Sequence, residues 1–268
     1  MAIGNRKSII TLLTDFGTQD YFVGAMKGVI LSINAGACIV DISNEIPAQD
    51  IRAAAFNLLA SYQSFPAATI HVAVVDPGVG SSRRPILISC ADQFFVGPDN
   101  GIFSWVCQRE QAYRAFHLTN DKFFRQPVSA TFHGRDIFAP VAAALSQGVP
   151  PEELGVPLGD LIQLESIKPV TIDKGVIEAR IIHIDRFGNC VTSLTPEYLS
   201  GSARLMINDH EISSFREFFA DTANEQGEIF CYVGSAGFIE IAARNAPAAE
   251  VLSARCEQTV MLHGPARK

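Results

Sequence analysis

Residues 74 to 84 read "VVDPGVGSSRR", an apolar run that ends in a carboxylate, a Pro-Gly turn and a second glycine before two adjacent arginines. A strand ending there sets Asp76 at the mouth of a sheet, and Arg83 can return across the glycine loop to the same mouth. A neighbouring guanidinium favours the ionised carboxylate, so the pair can orient a small polar nucleophile. Equally, it can be a structural ion pair that braces a loop. "ATFHGRDIF" supplies His133 just before a helical pattern, as base, acid, hydrogen-bonding orienter or structural residue. In "TDFGTQDYFVG", Asp15 falls where a strand should end and Asp20 near the start of the next helix. A carboxylate at such a place accepts two hydrogen bonds from a ribose diol. The plain alternative makes Asp20 a helix N-cap and Asp15 a turn former.

The second half repeats the pattern in "HIDRFGNCVTSL", where an apolar strand is broken by Asp, an aromatic, Gly and Asn. Asp185 and Asn189 suit a polar zwitterion such as an amino acid, and Phe187 can cover a flat ring. A hairpin with an "FGN" turn explains the same residues without a ligand. "GSAGFIEIAARNAPAA" offers a small-residue turn that lets backbone approach a ligand closely. The glycine loop after Asp76 lacks the spacing and lysine of a phosphate-binding P-loop. Asp15, Asp20, Asp76, His133 and Asp136 could converge as a metal set, but no pair has the helical spacing of a zinc hydrolase, so no metal is expected.

The elements that must position these residues alternate in the first half. "SIITLL", "ACIVDIS" and "ATIHVAVV" read as strands, with helices over "DYFVGAMKGVILSI" and "AQDIRAAAFNLLASYQSF" between them. Strand, helix, strand order implies a largely parallel sheet with helices on its faces, where ligands bind beyond the carboxyl ends of the strands. "RPILISC" and "QFFVGP" add short strands, and "RDIFAPVAAALSQG" reads as a helix. After a proline-rich stretch the texture turns to β-type runs such as "VIEARIIHID", "IFCYVG" and "FIEIAA". The expectation is α/β: a Rossmann-like domain over 1–165 with a mainly parallel sheet, and a smaller, mainly antiparallel β domain over 172–268.

The 268 residues, 48% hydrophobic and 18% charged, describe a compact folded chain. A net charge of −7 repels phosphate backbones and anionic lipid, so neither nucleic acid nor membrane is an expected partner. No apolar run is long enough for a membrane helix, and the opening residues lack a signal peptide's apolar segment. Six scattered cysteines without a C-x-x-C pair point to free thiols in a reducing cytoplasm.

Taken together, "LLTDFGTQDYFVGAMKG", "VVDPGVGSSRR", "GPDNGIFS", "TFHGRDIFAPVAA", "IDRFGN" and "GSAGFIEIA" resemble the S-adenosyl-L-methionine (SAM) hydroxide adenosyltransferases. This family of adenosine-forming SAM hydrolases is related to the bacterial fluorinase and chlorinase. The resemblance implies hydrolysis of SAM to adenosine and L-methionine by water or hydroxide attacking the ribose 5′ carbon, with SAM as substrate and no cofactor. It implies a catalytic set on Asp76, Arg83 and His133, with Arg83 chosen over Arg84 because the family's arginine stands seven positions after the aspartate. Asp15 would hold the ribose hydroxyls with Asp20 supporting its loop. Asp185, Asn189 and Ser235 would meet the amino-acid end and the neighbouring nucleoside, and Phe187 and Phe219 would pack on adenine. The family's more usual Asn and Tyr are Gly234 and Phe238 in this chain. A homotrimer with active sites at subunit interfaces is also implied. Two other activities compete: a SAM or adenosine sensor without turnover, and a chlorinase-like halogenase. The carboxylate of Asp76 and the compact run after the glycine loop favour water over halide.

Overall fold

A computed structural model describes residues 8–199, 203–217 and 226–264. The chain divides into two compact units, Met1–Glu165 and Ser166–Lys268.

In the first unit, β1 (Ile9–Thr14) leads through α1 (Phe22–Ile33) to β2 (Cys38–Ser43), and α2 (Ile51–Ser61) returns the chain to β3 (Ile70–Val74). β4 (Pro85–Cys90), β5 (Gln93–Pro98), α3 (Ser104–Glu110) and β6 (Tyr113–Leu118) follow, then α4 (Ala139–Ser146) and β7 (Gly155–Leu158). The strands form one sheet in the order β2-β1-β3-β5-β4-β6-β7. β2, β1, β3 and β5 pair in parallel, and β5, β4, β6 and β7 pair antiparallel.

Sequence explains which half is covered. "IITLLT" and "IHVAV" are almost continuous apolar runs, as strands need when both faces are buried. Ile10, Leu12, Val72 and Val74 pack with Val23, Met26 and Ile30 of α1 and Val141, Ala142 and Leu145 of α4. The alternate residues Thr11, Leu13, His71 and Ala73 are buried as well, and α2 packs against α3. The chain therefore leaves β1 toward β2 and crosses back over it to reach β3. That reversal of direction places a crevice beyond the carboxyl ends of β1 and β3, the usual ligand position in such sheets.

The second unit is antiparallel throughout its named strands. They are β8 (Val170–Asp173), β9 (Val176–Ile184), β10 (Cys190–Thr192), β11 (Arg204–Ile207), β12 (His210–Ile212), β13 (Ile229–Val233), β14 (Ile239–Ala243) and β15 (Thr259–His263). Their order is β12-β11-β15-β9-β10-β14-β13, with β8 on β9. The core joins Ile181, Leu205, Cys231, Ile241, Val260 and Leu262. This is the α/β class with a second β unit that the residue patterns imply. One local expectation changes: the helix read from "RDIF" onward opens as a π-turn at Gly134–Phe138 and becomes α-helical only at Ala139. Apolar spacing alone does not separate these two windings.

Candidate active site

Asp15 follows β1 directly and Asp76 lies two residues beyond β3, at strand ends that are paired Thr14 to Val74. Both line a cavity of about 430 Å³ with Phe16, Phe22, Gln49, Val79, Thr131, Phe132 and His133. The loop after Asp76 turns sharply, with the Val79 amide donating to the Asp76 carbonyl and the Ser81 amide to that of Gly78. Gly80 is left-handed at φ +77°, and a Cβ there would overlap the carbonyl of Ala130. Glycine is thus required for this loop to lie against the segment that carries His133.

The result is a three-membered cluster. Arg83 Nε donates to Asp76 Oδ1 at 3.1 Å and its Nη2 to Asp76 Oδ2, while Nη2 also donates to His133 Nδ1 at 2.9 Å. The Arg83 and Asp76 side chains are only 6% and 5% exposed, and the guanidinium lies 5.4 Å from the Phe138 ring centroid. A buried pair of this kind holds its geometry, because loss of either member leaves an uncompensated charge. Arg84 turns elsewhere, donating to Asp99 at 2.9 Å and to Asp160 at 2.9 Å. Of two adjacent arginines, one faces the cavity cluster and the other fastens the chain near residue 160.

The cluster fixes the histidine's protonation. A guanidinium can only donate, so Nδ1 of His133 must accept, and the neutral ring carries its proton on Nε2. Burial first, and then the charge of Arg83, hold the His133 pKa below its usual value. His133 is therefore a neutral hydrogen-bond donor at Nε2, and its Nδ1 lone pair is engaged. Its turn is anchored by Asp136, which is fully buried and accepts from Arg135, Arg125 and the Ser129 amide. Burial alone would raise Asp136, but these donors outweigh it and keep its pKa low.

Asp15 is held from outside its own loop. Its Oδ2 accepts the amide of Gln49 at 2.8 Å, and Gln49 adopts φ +67°. Thr14 Oγ1 donates to Asn44, and the Gly17 amide to the Asn44 carbonyl, joining the loops after β1 and β2. Asp20 is exposed and does not line the cavity; α1 starts at Phe22 without a side-chain cap, so Asp20 is not its N-cap either. Phe16, Phe22 and Phe132 were not anticipated, though Phe132 stands next to His133; their rings lie 5.2 to 5.9 Å from one another.

The second unit has its own cavity, of about 780 Å³, lined by Asp185, Phe187, Asn189, Ser235, Tyr232, Glu240 and Asn245. The "FGN" hairpin forms. Asp185 Oδ1 accepts the amides of Phe187 and Asn189 at 2.9 and 2.8 Å, and its Oδ2 accepts Asn189 Nδ2 at 2.9 Å. Gly188 is left-handed at φ +82°, where a Cβ would overlap Pro247. Phe187 is 77% exposed, while Asn189 is buried. Phe219 lies outside the described residues. Tyr232 and Glu240 escaped the sequence reading, although a glutamate within the apolar "FIEIAA" was a visible signal. Among the described residues, no three His, Cys, Asp or Glu side chains form a group able to hold a metal ion.

A crevice at a strand-order reversal, lined by a buried Asp-Arg-His cluster, is an arrangement of the class found in enzyme active sites. The chain belongs to the SAM hydroxide adenosyltransferase family: the model of its N-terminal domain matches residues 10–155 and that of its C-terminal domain residues 179–261. It is 35% identical to an (R)-S-adenosyl-L-methionine hydrolase of Thermus thermophilus over 91% of this chain and 94% of that protein. A fluorinase of Actinoplanes sp. is more distant, at 25% identity over 96% of this chain and 97% of its own. The crystal structure of an uncharacterised conserved protein from Thermotoga maritima superposes with a TM-score of 0.88 at 33% identity, covering 95% of this chain and all of that one.

Proposed function

We propose that this protein hydrolyses SAM to adenosine and L-methionine through attack of water on the ribose 5′ carbon. The observation that carries the reading is the buried Asp76-Arg83-His133 cluster at the end of β3, with Asp15 across the same cavity. Water oxygen forms a bond to C5′ as the C5′–S bond breaks, and the bonding pair returns to sulfur. The sulfonium leaves as the neutral thioether of methionine, so no acid is needed at the leaving group. The water must be held in line and must lose a proton. Asp76 is the acceptor, since Arg83 occupies Nδ1 of His133. Arg83 fixes the carboxylate through two parallel hydrogen bonds, and the Nε2–H of His133 orients the attacking oxygen. Asp15 takes the ribose diol with the oxygen atoms left free by Gln49. In the second cavity, Asp185, Asn189 and Ser235 take the amino-acid end and neighbouring nucleoside, and Phe187 covers adenine.

On this reading the enzyme needs no cofactor or metal and works in the cytoplasm as a homotrimer with active sites at its subunit interfaces. Light scattering should then return three times the 29.0 kDa chain mass. The decisive test is turnover of SAM in oxygen-18 water, with chloride in a parallel sample. Adenosine carrying the heavy oxygen at its 5′ position, together with methionine, is the expected product. A 5′-chloro nucleoside would move the protein to the halogenating branch, and SAM that stays bound and intact would make it a sensor.

A further inference from the structure

The Arg83 guanidinium is hydrogen-bonded through two of its nitrogens and not through the third. Nε and Nη2 donate to Asp76, and Nη2 also donates to Nδ1 of His133. Nη1 is buried and has no hydrogen-bond partner among the described residues, in a side chain that is only 6% exposed. A buried donor without an acceptor is costly, so its surroundings call for a physical account. The ring of Phe138 is fully buried and has its centroid 5.4 Å from the guanidinium carbon, within reach of cation–π attraction.

The winding of the backbone explains how the ring arrives there. His133 precedes the π-turn Gly134–Phe138, which closes with the Ala139 amide donating to the carbonyl of Gly134, five residues back. Residues four apart share a face of an α-helix, whereas under five-residue closure residues five apart do. His133 and Phe138 are five apart, and both meet Arg83. An α-helical start would align Ile137 with His133 instead, and an aliphatic side chain has no electron-rich face. Asp136, on the same turn, accepts from Arg125, Arg135 and the Ser129 amide, which pins this winding.

We propose that Phe138 is a positioning residue: its ring face receives the guanidinium edge that carries Nη1, and so keeps Arg83 on both Asp76 and His133. Its part in turnover rests on the SAM reading above. Phe138 is not among the residues lining the cavity, so it acts only through Arg83. Without the ring the guanidinium is free to tilt, and its bond to Nδ1 of His133 weakens. The charges that act on His133 are Arg83, which disfavours its protonation, and Asp76 and Asp136, which favour it. A looser Arg83 leaves the two carboxylates to dominate.

The test changes the ring in two ways in the full-length protein. Phe138→Leu removes the aromatic face, while Phe138→pentafluorophenylalanine keeps a ring of similar shape and reverses the polarity of its face. Each should lower kcat for SAM by about tenfold with KM within about twofold, the size of a desolvated cation–π contact. Each should also raise the pKa of His133, followed by NMR of its ring in the free protein, and move the acid limb of kcat/KM upward with it. A residue that only fills the core would lower the melting temperature of the Leu variant and leave the fluorinated variant like the unaltered protein in both readouts. That result, or a His133 titration that does not move in variants that fold, overturns the role of Phe138 while the SAM reading stands. Should the Leu variant not fold, the fluorinated ring decides alone. The titration requires no turnover: if it shifts as expected but SAM is not hydrolysed, the SAM reading falls and the hold of Phe138 on Arg83 stands.

Discussion

The two cavities treat charge in opposite ways. In the α/β unit Asp76 meets Arg83 at close range, so its charge is balanced inside the protein and its geometry is fixed before any ligand arrives. In the β unit Asp185 and Glu240 face a cavity in which no lysine, arginine or histidine is found among the described lining residues. A balanced and rigid cluster suits a step in which a nucleophile must be aimed, because preorganised dipoles need not reorient during the reaction. An unbalanced acidic lining suits recognition of a positively charged group. The first cavity should govern turnover and the second affinity.

Replacing the acid of the balanced cluster should have the largest effect. For Asp76→Asn, kcat should fall by about a thousandfold while nucleoside binding persists, as expected when a positioned proton acceptor is lost. Single-turnover kinetics and calorimetry on a variant shown to be folded would check both halves, and unchanged turnover would remove Asp76 from the chemistry. The adjacent arginines should separate function from bracing. Arg83→Lys loses the two-pronged grip on Asp76 and the bond to His133, and should cost about a hundredfold in kcat. Arg84→Lys should leave kcat within about threefold and instead lower the melting temperature by a few degrees, about 1 kcal/mol, since its partners are Asp99 and Asp160. If the two variants behaved alike, the division of labour between the neighbours would be wrong.

A pH profile sharpens the same contrast. Burial and Arg83 keep His133 neutral below its usual titration range, so the acid limb of kcat/KM should lie below about pH 6.5. The sign for stability follows, because the unfolded chain takes up this proton first as pH falls. The stabilisation is complete above the unfolded value and is lost as pH drops through the folded one. Removing the charge of Arg83 should move the kinetic limb upward, which a profile of Arg83→Gln would measure. The smallest effect belongs to the second cavity. Phe187→Ala alters a ring that is 77% exposed, so the melting temperature should not move, and KM should rise only a few-fold with kcat retained. A loss of kcat there would blur the line between the two cavities.

Much of the scaffold was legible because its signals are local. The runs "IITLLT" and "IHVAV" are too uniformly apolar for strands with a wet face, and each gives way to an aspartate and a glycine turn. Those signals alone put Asp15 and Asp76 at strand ends, where β1 and β3 do end. The Asp185 hairpin was legible for the same reason, since an Asx turn closes over four residues. Gln49 was not, because it reaches Asp15 from a loop 34 residues away and nothing in its neighbourhood announces that contact.

By itself, the sequence determined the chemical types available, the order of strands and helices, and the ends at which the carboxylates stand, all of which follow from apolar periodicity and turn residues. Tertiary structure alone decided the partners. Arg83 reaches Asp76 and His133 because Gly80 lets its loop lie on Ala130, and Glu240 meets Tyr232 because β14 pairs with β13 in one register. Such contacts join segments far apart in the chain, and their geometry is set by packing between elements, which local propensity does not encode.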